Sequence, residues 1–256
     1  MNQSNLMILR RQSFLSKIIV IHIFSFIFAR EIKNVSFPNS HITFANAKFD
    51  LIANGNSSNR YIWLHGDEQT AKMALEYHIK KYQGIAFFID SETREIPFQS
   101  TIIDPNRIFS RKGHIMLRNQ TRLAPGNLKR ALDILDGERE KFLNAIMPGE
   151  SGYLISLHNN FRGYNVYKEK NKSQKVSIKK TENPRDFIIC TDANDFEILS
   201  SGPFNVVLQN KLPEKDDGSL SWEALRRNVR YLNVETRLGY LSKQKKMLKF
   251  IEEVLD

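Results

Sequence analysis

The sequence has almost no sulfur chemistry to offer. A single cysteine, Cys190, excludes an internal disulfide framework. It ends the apolar run Phe187-Ile-Ile-Cys190, which reads as a core strand, so a catalytic thiol is not expected. Long hydrophobic runs are also missing: the N-terminal stretch Ile18 to Ala29, broken by His22 and Ser25, is too short for a comfortable transmembrane helix. No internal repeat appears. No aromatic-rich motif accompanies the basic residues, which argues against a nucleic-acid partner. Lys and Arg nevertheless outnumber Asp and Glu by 38 to 28, a net charge of +10. These residues are spread out, apart from a cluster between Lys168 and Lys180, so a solvated basic surface is expected. Hydrophobic content of 41% and 256 residues suffice for a domain with a real core.

Arg10, Arg11 and Lys17 precede the N-terminal apolar stretch and Arg30 follows it, the outline of a secretory signal. Residues 1–29 are read as a signal peptide or N-terminal anchor, and residues 30–256 as a single domain. The expected location is secreted or periplasmic, with membrane contact only if the leader is uncleaved. Removing the leader takes away Arg10, Arg11 and Lys17 and no acid, leaving 35 − 28 = +7.

The rest of the chain alternates strand and helix signals. Val35–Ile52 offers an edge strand. Tyr61–Leu64 is an apolar strand, broken at His65-Gly66, and Gln69–Lys81 carries Ala71, Ala74, Leu75, Tyr77 and Ile79 at roughly helical spacing, which places Glu68 in the first helical turn. Gly84–Asp90 suits a strand buried on both faces. Ser91–Asn119 is loop-rich and long enough to carry function. Asn127–Met147 is an amphipathic helix stopped by Pro148-Gly149. Tyr153–His158 repeats the pattern of an apolar strand ending in histidine. Phe161–Lys180 reads as a long surface hairpin with Val176–Ile178 as a short strand, followed by strands at Asp186–Thr191 and Phe204–Gln209, a helical turn at Asp195–Leu199, a helix at Trp222–Asn228, a strand at Tyr231–Thr236 and a closing helix at Tyr240–Leu255. This alternation predicts an α/β fold: a three-layer α/β/α sandwich with a mixed, largely parallel central sheet.

Three strand ends carry polar groups: His65 with Glu68, His158, and Glu235. Ligands gather at such strand ends in α/β sheets. Two histidines and a glutamate form one of the standard protein sets for a hydrolytic zinc ion, here His65, Glu68 and His158. Such a site needs a further residue to take a proton from water and pass it to the leaving group, and Glu235 in Asn233-Val-Glu235-Thr is suited to that role.

The ordered set His-x-x-Glu, Asp-x-Asn-Arg-x-Phe, strand-end histidine and late-strand glutamate resembles the signature of the zinc carboxypeptidase superfamily, which includes the aspartoacylase and succinylglutamate desuccinylase branch. His65-Gly-Asp-Glu68 looks like that branch's His-Gly-Asn-Glu, Asp104-Pro-Asn-Arg-Ile-Phe109 is similar to motifs in both branches, and Leu157-His158-Asn159 looks like Asp-Leu-His-Asn. The separations, 38 residues from Glu68 to Asn106, 52 to His158 and 77 to Glu235, suit the family. The resemblance implies that Zn²⁺ is held by His65, Glu68 and His158, with Glu235 as general base and then acid. It implies that Asn106 and Arg107 hold a substrate carboxylate, a role that the planar fork of arginine fits. It also implies an arginine at the scissile carbonyl, for which Arg94 is the candidate, with Arg111 and Arg118 as competitors. Tyr164, Tyr231 and Tyr240 are the candidates for a tyrosine covering the site. Two departures stand out: Ser156 replaces the branch's aspartate, and Thr236-Arg237-Leu238-Gly239 copies neither branch.

The expected function is that of a secreted zinc hydrolase cleaving an amide or peptide bond beside a free carboxylate, in a peptide or cell-wall peptide. The alternatives are an N-acyl amino acid deacylase of the aspartoacylase type and a binding module on the same fold without turnover.

Overall fold

The computed structural model describes residues 41–111, 113, 124–160 and 163–255, all within one compact unit spanning 37–256. The expected leader and Arg118 lie outside the described residues. Among the described residues no helix is long and apolar enough to cross a membrane.

Nine strands form the central sheet: β1 (His41–Phe44), β2 (Ala47–Asn54), β3 (Arg60–Trp63), β4 (Gly84–Ile89), β7 (Leu154–Asn160), β8 (Lys175–Ser177), β9 (Phe187–Cys190), β10 (Asn205–Leu208) and β11 (Tyr231–Arg237). Their order is β1-β2-β4-β3-β7-β11-β9-β10-β8. The pairings of β4 with β3, β3 with β7, and β7 with β11 are all parallel. Following the remaining pairings outward, only β2, β9 and β10 oppose this direction, so six of nine strands run one way. The sheet is mixed with a parallel centre, as its sequence pattern predicts. Strands β3, β7 and β11 are buried almost throughout. A parallel centre covered on both faces demands such continuous apolar runs.

Helices α1 (Gln69–Ile79), α4 (Ala193–Ser201) and α6 (Leu241–Leu255) cover one face. There Glu252 of α6 accepts hydrogen bonds from the Tyr61 hydroxyl on β3 at 2.7 Å and from His78 of α1 at 2.8 Å. Helices α2 (Pro125–Ile146) and α5 (Leu220–Arg226) lie on the other face. Ala131, Leu135, Phe142, Leu143 and Ile146 are the buried apolar stripe of α2, and Phe142 stacks on Phe44 of β1 at 4.8 Å between ring centroids.

Three details differ from the sequence reading. Among the described residues of 163–180 there is no surface hairpin: the short helix α3 (Val166–Glu169) comes first, and the expected short strand at Val176–Ile178 is β8, which pairs antiparallel with β10. Val166 and Glu169 are buried, so a polar, lysine-rich composition conceals an inward-facing turn. In the loop-rich span, a small hairpin of β5 (Ile96–Phe98) and β6 (Thr101–Ile103) precedes a 3-10 turn at Pro105–Arg107. Glu68 is the N-cap residue of α1 rather than part of its first turn.

Candidate metal and substrate cleft

The site begins with a turn that only glycine fits. A Cβ on Gly66 would lie 2.3 Å from the Ser91 carbonyl oxygen, inside any tolerable contact. The chain can therefore fold tightly between β3 and α1, leaving His65 and Glu68 on the same side. The Glu68 side chain does not cap its helix. Instead the Asn159 carboxamide, reaching over from β7, accepts from the Ala71 N–H at 2.7 Å, which frees the glutamate for the cleft.

Strand alternation assigns the neighbouring side chains to opposite faces. Asn159 points toward α1 and α6, where its amide also bonds Thr236 and Gln244. His158 points the other way. It is paired in register with Glu235 on the parallel neighbour β11, so both side chains emerge on one face, one strand apart. His65, Glu68, His158 and Glu235 line a single cleft of about 360 Å³, together with Arg94, Asn106, Arg107, Tyr164 and Glu169.

At the cleft floor, His65 Nδ1 is 2.9 Å from Glu68 Oε1. His158 Nδ1 is 3.0 Å from Glu68 Oε2 and 3.2 Å from His65 Nδ1. All three residues are buried, and one ligand atom from each falls within 4.8 Å of the others. Bonds of 2.0–2.2 Å in a tetrahedral zinc site imply separations of roughly 3.3–3.6 Å between ligand atoms, close to those seen. Two imidazole nitrogens and one carboxylate turned toward a common point are an arrangement that a cation can hold together. The donor set fits zinc.

Asp104 completes this floor. Its carboxylate accepts from His65 Nε2 at 2.9 Å and from the Asn106 N–H at 2.7 Å. A carboxylate on the far nitrogen fixes the ring so that Nδ1 faces the other donors, the arrangement usual behind metal-bound histidines. Burial would lower the His65 imidazole, but Glu68 and Asp104 outweigh it and raise it to about 9. Burial pushes the Glu68 and Asp104 carboxyls up, yet the neighbouring imidazoles hold both well below the carboxylate range, with Arg107 and Arg94 assisting at Asp104.

Glu235 sits in a different electrostatic setting. It is 7% exposed, and burial raises its carboxyl, opposed by His158 and reinforced by Glu68. Its two oxygens accept from Asn160 at 3.4 Å and Asn233 at 3.3 Å. A carboxylate poised above its ordinary range is suited to proton transfer near neutrality.

Of the three arginine candidates, the structure brings Arg94 to the cleft. Its guanidinium donates to Glu68 at 2.8 Å and lies 3.6 Å from Asp104. Arg111 pairs instead with Asp133 and Asp136 of α2. Arg107 lines the cleft, donating to the Asn106 carbonyl at 2.8 Å and facing Asp217 at 3.9 Å. Asn106 also lines it, and its carboxamide oxygen accepts from the Leu220 N–H at the start of α5. Tyr164 alone of the three tyrosine candidates reaches the cleft lining. Tyr231 is buried against Ser156, where their hydroxyls meet, so the serine that replaces the branch's aspartate bonds a phenol instead of His158. Tyr240 is half exposed, with Arg237 over its ring at 3.6 Å. Cys190 is buried in β9, and burial pushes its thiol up, away from reactivity.

No protein-family profile and no curated protein matches the chain. Ten solved chains do. They include the product-bound ectoine utilization protein EutE (DoeB) from Ruegeria pomeroyi, 13% identical with a TM-score of 0.42 over 80% of this chain and 59% of that one. A putative succinylglutamate desuccinylase/aspartoacylase from Shewanella frigidimarina is 11% identical with a TM-score of 0.39, covering 80% and 65%. The tripeptide-bound cell shape determinant Csd4 protein from Helicobacter pylori is 14% identical with a TM-score of 0.41, covering 82% and 54%. In each case the chain spans less than two thirds of the other's length. What the cleft can do is carried by its own side chains.

Proposed function

We propose that this chain is a zinc-dependent hydrolase of an amide or peptide bond beside a free carboxylate. The observation that carries the reading is the convergence of His65, Glu68 and His158, all buried, in one cleft with Glu235. His65, Glu68 and His158 would hold the zinc ion, which would supply a Lewis acid for a carbonyl and lower the pKa of water. Glu235 takes the proton of the attacking water and returns it to the leaving nitrogen, a task for which its burial prepares it. Arg107, beside Asn106, grips the substrate carboxylate through its planar fork. Arg94, whose guanidinium donates to Glu68 in the cleft, is assigned to the oxygen on which negative charge develops. The amides of Asn160 and Asn233 donate to Glu235 and favour its ionised form, against burial and the charge of Glu68, which favour the protonated one.

Peptides, cell-wall peptides and N-acyl amino acids all present the required amide beside a carboxylate. The leader pattern of residues 1–29 supports an exported protein meeting peptide or cell-wall fragments, released or held by an uncleaved leader.

Elemental analysis of the purified protein tests the centre: about one zinc per chain is expected, and its loss in His65→Ala. A screen against carboxylate-terminated peptides, muropeptides and N-acyl amino acids then identifies the amide cleaved. Metal-free protein that rebinds no zinc, or zinc protein inert on all three classes, would overturn the reading.

A further inference from the structure

We propose that Glu169 receives a substrate ammonium group, so that the cleft takes an amide carrying both a carboxylate and a primary amine. This inference rests on the hydrolase reading. Four carboxylates line the cleft: Glu68, Glu169, Asp217 and Glu235. Glu68 joins the two imidazoles, Glu235 moves protons, and Asp217 faces Arg107 and accepts from the Ser219 N–H. Glu169 has no such employment.

It ends α3 and is 4% exposed, yet it lines the cavity. Its Oε2 accepts from the Gln209 amide. Burial, and after it the negative charge of Glu169, pushes the Tyr164 phenol well above its ordinary value, while Glu235 adds to this and Arg107 opposes it. Tyr164 is therefore a neutral group within electrostatic reach of both Glu169 and the reacting carboxylate. A neutral amide at position 169 could serve such partners equally well, whereas burying a carboxylate without a cation is costly.

Among the described residues the cation beside Glu169 is Lys172, whose Nζ lies 3.8 Å away on a side chain 57% exposed. A pair so long and so solvated contributes little. It leaves a buried anion whose partner an entering ammonium can displace. Arg107 for the carboxylate and Glu169 for the amine give the cleft opposite charges suited to a zwitterionic substrate.

The test compares matched compounds that differ only in that charge. Nα-acetyl-lysine is set against Nα-acetyl-norleucine and alanyl-alanine against propionyl-alanine, and the preference is the ratio of kcat/KM within one protein, so that any general loss of activity cancels. Wild type should prefer the ammonium compound of at least one pair about tenfold or more, and Glu169→Gln should bring that ratio to about one. Lys172→Ala, at an exposed position, should raise the ratio, because the competing cation is gone. Equal kcat/KM for both pairs in wild type would overturn the subsite and leave the hydrolase reading standing. Should no compound be cleaved, calorimetry with the same two pairs decides. Tighter binding of the ammonium compound of at least one pair that is lost in Glu169→Gln upholds the subsite, and equal or absent binding in both pairs overturns it.

Discussion

Replacing Glu235 by glutamine separates chemistry from architecture. The substitution keeps the shape and removes the proton acceptor. General-base catalysis contributes about 10²- to 10⁴-fold, so kcat should fall by that factor, equivalent to about 3–5 kcal/mol of barrier. KM and zinc content should change little, because Glu235 is not among the three converging ligands. Stability should move the other way. A buried carboxyl whose pKa is raised by folding binds its proton more readily in the native state. Native stability therefore falls as pH rises through the window from the unfolded value to the raised one, and above that window the charge costs stability. Glutamine carries no such charge. Its new N–H₂ would meet an Asn donor, but the carboxamide oxygen of Asn233 has no partner among the described residues, and a flip of that amide supplies an acceptor. Chelator-treated Glu235→Gln should therefore melt no lower than wild type near pH 8, while the zinc-loaded variant is nearly inert. Turnover within threefold of wild type would refute the role of the base. Inactivity accompanied by lost zinc or a lowered melting temperature would show the residue to be structural.

The remaining predictions address the floor and walls of the cleft. Asp104→Asn should weaken zinc binding about 10- to 100-fold in a competition titration with a chromogenic chelator, because the brace on His65 Nε2 is lost. Gly66→Ala should abolish zinc binding and lower the melting temperature, since its Cβ would fall 2.3 Å from the Ser91 carbonyl and open the turn holding His65 and Glu68. Arg107→Lys should raise KM for carboxylate-terminated substrates about tenfold with a smaller effect on kcat, an ammonium being unable to reproduce the bidentate fork. Equal KM values would place the carboxylate elsewhere.

The parts of this fold that are legible in the sequence are those whose signal is local. The apolar runs of β3, β7 and β11 announce buried strands, and the histidines and glutamate at their ends follow from where the runs stop. Convergence of His65, Glu68, His158 and Glu235 follows from three parallel strands, β3, β7 and β11, delivering their carboxyl ends to one edge. Contacts that cross the chain leave no such trace. Asp104 reaches His65 across 39 positions, and no periodicity links them. Asn159 caps a helix that begins 90 positions earlier, through a side chain that reads as an ordinary strand asparagine. Glu169 hides in a lysine-rich stretch that composition assigns to solvent, because one inward turn of a short helix is invisible to averages.

The pairing of His158 with Glu235 across two adjacent parallel strands carries one more implication. These residues stand 77 apart in the chain, but a single rung of the ladder sets their spacing. The surface segments between them, including α3 with Glu169 and the loop with Asp217, can be lengthened, recoloured or exchanged without altering that rung, provided β9 and β10 keep their places beside β11. Grafting another protein's loops onto this frame should therefore change what is recognised while the bond-breaking geometry survives, a practical route to altered selectivity.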